Sequence, residues 1–280
     1  MDLRKYFCIF LLIVTPISAQ EIRVASFHAS NLSLDSDLAG IADRLQAYDF
    51  IAIQDLRDLA AVDELLATLF RRSDFFKILP SQPSGDDGVR YAFAWRDRSV
   101  QIVSPGSFLG SNEERRPVYA LFRAENFDFA AVNFQSATTA TAASEDNLLD
   151  AAYAQLNQQL PDERDIIFFG SFTHAAPHLS GVEPIFPRDS PTSIKGDSTH
   201  ANIYISNLHT REYSGRSGIY FFDEAAFAND IEAASRVSFM RPVWADFTTS
   251  NPDDDGPGIS APSPVRAAHW AHIKAARSAP

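Results

Sequence analysis

Apolar runs too short for helices and too continuous for one-sided strands recur through most of this chain of 280 residues. EIRVASF, FIAIQ, YAFAWR, VYALF, FDFAAVNF, DIIFFGSF, ANIYIS and PVWADF are rich in β-branched and aromatic residues and read as strands. A segment such as DIIFFG is apolar on both faces, so helices must cover one side of its sheet and a second sheet the other. Between the strands, Leu38, Ile41, Ala42 and Leu45 repeat at helical spacing, as do Val62, Leu65, Leu66 and Leu69. A third helix is expected to begin at the capping candidate Ser144 and to run through Leu148, Leu149, Ala152 and Leu156. The class is α/β with many strands, and no internal repeat is present.

A hydrophobic fraction of 45% is enough for one large core or two modest ones. The two ends differ from the rest. Residues 1–19 carry Arg4 and Lys5, the apolar run YFCIFLLIV, Pro16 and the small-residue site Ile17-Ser18-Ala19, the layout of a signal peptide cut after Ala19. The apolar run is too short to span a bilayer; an uncleaved anchor is the alternative, and cleavage implies a secreted or periplasmic protein. Cys8, the single cysteine, lies inside that segment, so the mature chain would have neither disulfides nor thiolate zinc ligands. The domain is expected at 20–249. From Ser250 the Pro, Gly and Asp-rich NPDDDGPGISAPSP leads into a flexible tail, 250–280. A formal net charge of −12 disfavours generic nucleic-acid binding, and the basic pairs Arg71-Arg72 and Arg115-Arg116 are no more than a solvated face carries.

The stretch DIIFFGSFTHA reads as a buried strand that breaks at a glycine turn, where an acid often stands in enzymes; here Ser171, Phe172 and Thr173 follow Gly170. Taken in order, EIRVASFHASNLS, YDFIAIQDLRD, RRPVYALF, NFQSATTATAASEDNLLDAAYAQL, GSFTHA, THANIYISNLHTREYSGRSGIYFF and SFMRPVWADF resemble the successive strands of the deoxyribonuclease I-like, or endonuclease/exonuclease/phosphatase, superfamily. The resemblance covers nearly all of 21–247. It implies two packed mixed β-sheets flanked by helices in four layers (α/β/β/α), with a site at one end of the sandwich and a divalent metal that assists phosphoester cleavage. That chemistry needs carboxylates for Mg²⁺, a histidine oriented by an acid, and amide or imidazole donors for the developing charge.

Position by position, the resemblance finds those residue types replaced. The metal-side Asn is His28, and the metal-binding Glu is Asp55. The catalytic His is Gln135, which takes up no proton near neutral pH. The acid and the amide of the Gly-Asp-Phe-Asn turn are Ser171 and Thr173, the Asp of Tyr-Asp-Asn is Ala201, and the closing Asp-His pair is Phe239-Met240. Gly170, Phe172, Pro117 and Pro242 match while the functional side chains do not. The expectation is therefore an exported pseudoenzyme with no catalytic set intact and no cofactor, a binding or scaffolding module for a protein or small ligand. Arg115, Arg116, His28 and His200 are the ligand-binding candidates. The catalytic mouth is expected to be an apolar pocket walled by Phe239, Met240, Phe172 and Gln135. The alternative is an active metal-dependent phosphodiesterase or nuclease rebuilt around His28, Asp55, His174 and His200, with Zn²⁺ or Mg²⁺. Ser171 lacks both a Gly-x-Ser-x-Gly context and an assignable base, so a serine hydrolase is not expected.

Overall fold

A computed structural model describes residues 20–72, 76–110, 115–137, 140–173, 181–196 and 200–253. Residues 1–19, read from sequence as a signal peptide, His174 and the residues from 254 on lie outside the described residues. Two six-stranded mixed sheets face each other. The first runs β11 (Tyr213–Ile219), β12 (Val243–Thr248), β1 (Glu21–Leu32), β2 (Phe50–Leu56), β4 (Arg90–Arg96), β3 (Phe76–Pro80). The second runs β5 (Gln101–Ser104), β6 (Val118–Ala124), β7 (Phe127–Gln135), β8 (Ile166–Ser171), β10 (Ala201–Ile205), β9 (Glu183–Pro184). α1 (Leu38–Leu45), α2 (Leu59–Arg72), α4 (Phe222–Phe227) and α5 (Ile231–Ser235) pack outside the first sheet, and α3 (Ala142–Gln159) outside the second.

The two-sided strands divide their side chains by the period of two. In β2, Phe50 and Ala52 enter the core between the sheets while Ile51 and Ile53 meet the helices. In β8, Ile167 and Phe169 face the other sheet while Ile166 and Phe168 face α3. Phe50 sits within 4.8–5.9 Å, ring centre to ring centre, of Phe93, Phe122, Phe129 and Phe169. These contacts join the sheets with aromatic pairs worth roughly 0.5–1.5 kcal/mol each beyond burial. Buried polar groups of this layer pair across the sheets: Gln54 donates to Asn133 Oδ1 at 2.8 Å, and Asn133 donates to the carbonyls of Ile53 and Ala92, both at 3.0 Å.

Each sheet has one parallel pair, β1 with β2 and β7 with β8. A parallel pair needs a crossover, supplied by α1 and by α3, so both strands of a pair end at the same edge of the sandwich. Three readings from sequence change. The helix α3 starts at Ala142, capped by Thr141, and Ser144 is the reciprocal partner three residues in rather than the cap. Gly170 lies inside β8 rather than at a turn, and glycine is required there because a Cβ would sit 2.8 Å from the Phe134 carbonyl oxygen. Four strands, β3, β5, β9 and β11, join those read from sequence, and they are the four sheet edges.

Candidate functional site

The C-terminal ends of β1, β2, β7 and β8 bring His28, Asp55, Gln135 and Ser171 to one rim. Two of these ends are locally deformed. The pairing of β1 with β2 shifts between His28 and Leu32, where Ser30 and Asn31 take φ of 50° and 71°. Asp55 itself has φ of 61°, a left-handed conformation costing a non-glycine residue roughly 1–2 kcal/mol. The bend turns its carboxylate toward the rim, where it lies 3.8 Å from His28 Nε2 and 3.3 Å from Arg57 Nε.

The β1 bulge fixes the state of His28. Its Nδ1 accepts the Ser30 backbone N–H at 3.1 Å, so in the neutral ring the proton resides on Nε2. Nε2 is 3.1 Å from Gln135 Nε2, while the Gln135 oxygen has no hydrogen-bond partner among the described residues; exchanging the two carboxamide atoms makes the oxygen the acceptor of the Nε2 proton. Burial pushes the imidazole below its ordinary value; Asp55 opposes this, and Arg115, His200 and Arg57 add to it. His28 is thus a buried imidazole whose charged form is disfavoured and whose Nδ1 is engaged by the backbone, which weakens it as a base. Ser30 Oγ also accepts the Phe239 N–H at 2.9 Å, and Ser238 Oγ donates to the His28 carbonyl at 2.6 Å, so the same bulge anchors the closing segment.

Asp55 stands at one end of a chain of alternating charges. Arg57 reaches both Asp55 and Asp87, and Asp87 in turn accepts a hydrogen bond from Arg115, whose other arm donates to the Ser136 carbonyl at 2.9 Å. Burial alone would raise the Asp87 carboxyl, but the hydrogen bond and charge of Arg115, the Val89 amide and Arg57 hold it below its ordinary value. Two arginines and two aspartates leave this network neutral. Arg57 and Asp87 were not singled out in the sequence; the signal was available in QDLRD and in the SGDDGV turn that brings an acid to Arg115.

The other positions are structurally absorbed. Ser171 Oγ donates to Met240 Sδ at 3.5 Å. Thr173 donates to the Ala137 carbonyl at 3.1 Å and Ala201 is buried. Phe172 does not wall the mouth: it packs on the α3 side against Tyr204 and Phe134, at 5.0 and 5.9 Å, because the strand period turns it there. Phe239 stays at the rim, 53% exposed. Arg116 leaves the rim and lies 4.6 Å over the Phe108 ring. His200 donates from Nδ1 to the Phe172 carbonyl at 2.8 Å, which leaves Nε2 with its lone pair. Glu145, buried in the first turn of α3, was missed; its carboxylate accepts from Ser136 Oγ at 2.9 Å and from the Thr173 N–H at 3.3 Å, tying down the loops after β7 and β8.

A Mg²⁺ ion takes about six oxygen ligands and is held by carboxylates. Ser171, Ala201 and Phe239 offer no carboxylate, and the one at Asp55 faces the guanidinium of Arg57. Among the described residues, the rim side chains therefore do not fit such an ion. Among the described residues, the one set of three His, Cys, Asp or Glu side chains with ligand atoms within 4.8 Å of one another is Asp165, Glu212 and Asp253. Asp165 precedes β8, about 20 Å of strand from Ser171.

No protein-family model matches the chain, and no curated protein matches it. Solved structures do. An endonuclease/exonuclease/phosphatase family protein from Bacteroides thetaiotaomicron superimposes with a TM-score of 0.62 at 14% identity, over 83% of this chain and 99% of that one. The fold is deoxyribonuclease I-like. D. rerio TDP2, in complex with a single-stranded DNA product, superimposes with a TM-score of 0.60 at 12% identity, over 82% and 99% of the two chains. A mannosyl-6-phosphatase from Bacteroides thetaiotaomicron gives 0.57 at 14% identity, over 80% and 98%. In the deoxyribonuclease I-like sandwich of this chain, the rim at His28, Asp55, Gln135 and Ser171 is the end to which the family resemblance assigns the site.

Proposed function

We propose that this chain is an exported, catalytically degenerate protein of the endonuclease/exonuclease/phosphatase fold that acts as a binding or scaffolding module through its rim. The observation that carries this reading is the engagement of Asp55 in the Arg57–Asp87–Arg115 chain, beside a His28 whose basic nitrogen is held by Ser30. A rim whose Asp55 carboxylate faces Arg57 and whose His28 is buried with Nδ1 held by backbone is poorly suited both to hold a hard cation and to deprotonate water. What it offers instead is an exposed aromatic side chain, Phe239, with a partly exposed arginine, Arg57, the residue types that anchor protein and ligand contacts. The ligand is uncharged or anionic, and its binding survives chelation.

One feature supports the active alternative built around His28, Asp55, His174 and His200. A metal-ligating histidine commonly donates its second ring N–H to a backbone carbonyl, as His200 does to Phe172. The two readings part in one experiment: pure mature protein incubated with plasmid DNA or a nitrophenyl phosphodiester and Mg²⁺, Mn²⁺ or Zn²⁺. Each missing acid–base role is worth roughly 10²- to 10⁴-fold in rate, so turnover is expected at the level of the blank. Turnover abolished by EDTA and by Asp55→Ala would overturn the degenerate reading in favour of the active one.

A further inference from the structure

A cavity of about 190 Å³ opens between the two sheets on the side where β3 and β5 form their edges. Leu79, Tyr91, Phe93, Phe108 and Val118 make its walls; Tyr91 and Phe93 are buried, whereas Gln82 and Ser107 at its mouth are exposed. None of the rim residues lines it. From these features we infer a binding site for a small uncharged aromatic molecule of one or two rings that carries a single hydrogen-bonding group.

Size, charge and edge chemistry each narrow the occupant. An apolar cavity of about 150 Å³ stays dry and takes up benzene, so this one has room for a single ring with a substituent or for a compact bicycle. Three aromatic walls favour a flat ligand, through stacked or edge-on ring contacts. Among the described residues that line the cavity none carries a charge, and the nearby Arg116 guanidinium is already seated on the Phe108 ring, so a carboxylate or ammonium entering the cavity would lose hydration with no charged partner in the lining. An added strand from a peptide is disfavoured, because Pro80 and Pro105 at the opening have no N–H to give to a ladder. The Ser81 hydroxyl is engaged already: it accepts the Tyr91 N–H at 3.0 Å and donates to the Gln82 carbonyl at 2.6 Å. Gln82 and Ser107 at the mouth can meet the ligand's polar group, and Tyr91 in the wall carries a buried hydroxyl without a hydrogen-bond partner among the described residues.

The test uses indole as the probe and benzoate as its charged counterpart, titrated against the full mature protein and followed by saturation-transfer NMR and calorimetry. Indole is expected to saturate with a Kd below about 1 mM, and benzoate to bind at least tenfold more weakly. Ser107→Phe plugs the mouth from an exposed position, and Leu79→Trp fills the cavity from its wall. Loss of indole affinity by tenfold or more, in at least one of these variants with an unfolding midpoint at the wild-type value, supports the site. Absence of saturation in the wild type, benzoate binding as tightly as indole, or indole affinity unchanged in both variants would overturn it.

Discussion

Gly170→Ala separates packing from chemistry in the Gly170-Ser171-Phe172-Thr173 stretch. A Cβ at this position would stand 2.8 Å from the Phe134 carbonyl oxygen and 2.9 Å from Cζ of Phe172. Neither neighbour is free to yield. Phe134 is the parallel-strand partner of Gly170, so its carbonyl is fixed by the ladder. The Phe172 ring is 2% exposed and wedged between Phe134 and Tyr204. Overpacking of this kind costs about 1–3 kcal/mol, and with backbone as one of the obstacles the expected loss is about 2–3 kcal/mol. For a domain of this size that lowers the unfolding midpoint by about 5–10 °C. Urea titration followed by circular dichroism measures it. Phe172→Leu withdraws the far end of the ring, so Gly170→Ala with Phe172→Leu should lose less than the sum of the single changes. A single Gly170→Ala variant within about 0.5 kcal/mol of wild type would refute the packing argument and leave the glycine to be explained by something it binds.

The buried neutral state of His28 makes stability depend on pH. Its folded pKa lies below the ordinary 6.5, so the unfolded chain takes up the proton first; the stabilisation is complete above about pH 6.5 and is lost as pH falls from there through the folded value. His28→Gln should flatten that slope, read as the difference in urea midpoint between about pH 7.5 and pH 5, and an unchanged slope would exclude His28 as its source. Arg241 makes a bidentate pair with fully buried Asp223, Nε to Oδ1 at 2.8 Å and Nη2 to Oδ2 at 2.6 Å. Arg241→Ala should cost about 3–5 kcal/mol because it strands the carboxylate, whereas Arg241→Met with Asp223→Leu should cost far less; equal losses in the two would contradict this account. Ser171→Asp places a carboxylate against Met240 Sδ, and the expected result is about 1–3 kcal/mol of destabilisation with no metal-dependent cleavage. A gain of EDTA-sensitive phosphodiesterase activity from that one change would show the rest of the site to be intact.

The strands that the sequence made legible are the ones buried on both faces or at the centre of a sheet, β1, β2, β4, β6, β7, β8, β10 and β12. The four that it did not reveal are the edges. An edge strand has a neighbour on one side only and more solvent around it, so its composition is under weaker apolar constraint. YSGRSGI, the β11 segment with no fully buried residue, shows the effect plainly. The third helix was legible from Leu149, Ala152 and Leu156, while its start was misplaced by a few residues because Thr141 and Ser144 both cap well and do so reciprocally.

Much the same division runs through the site. Strand order, matched against a family, was enough to bring His28, Asp55, Gln135 and Ser171 to the ends of four strands, because parallel pairs joined by crossovers must finish on the same edge. Residue types alone say that Gln135 takes up no proton near neutral pH and that Ser171, Ala201 and Phe239 carry no carboxylate. The tertiary structure decided what the remaining groups do. That Asp55 meets Arg57, that Asp87 links Arg57 to Arg115 from a turn about thirty residues away, and that Phe172 faces the helix rather than the mouth depend on bulges, left-handed residues and loop paths. Such deviations arise from the balance of many contacts at once, whereas periodicity records only which face of an element is apolar; charge pairing between distant segments leaves no period to read.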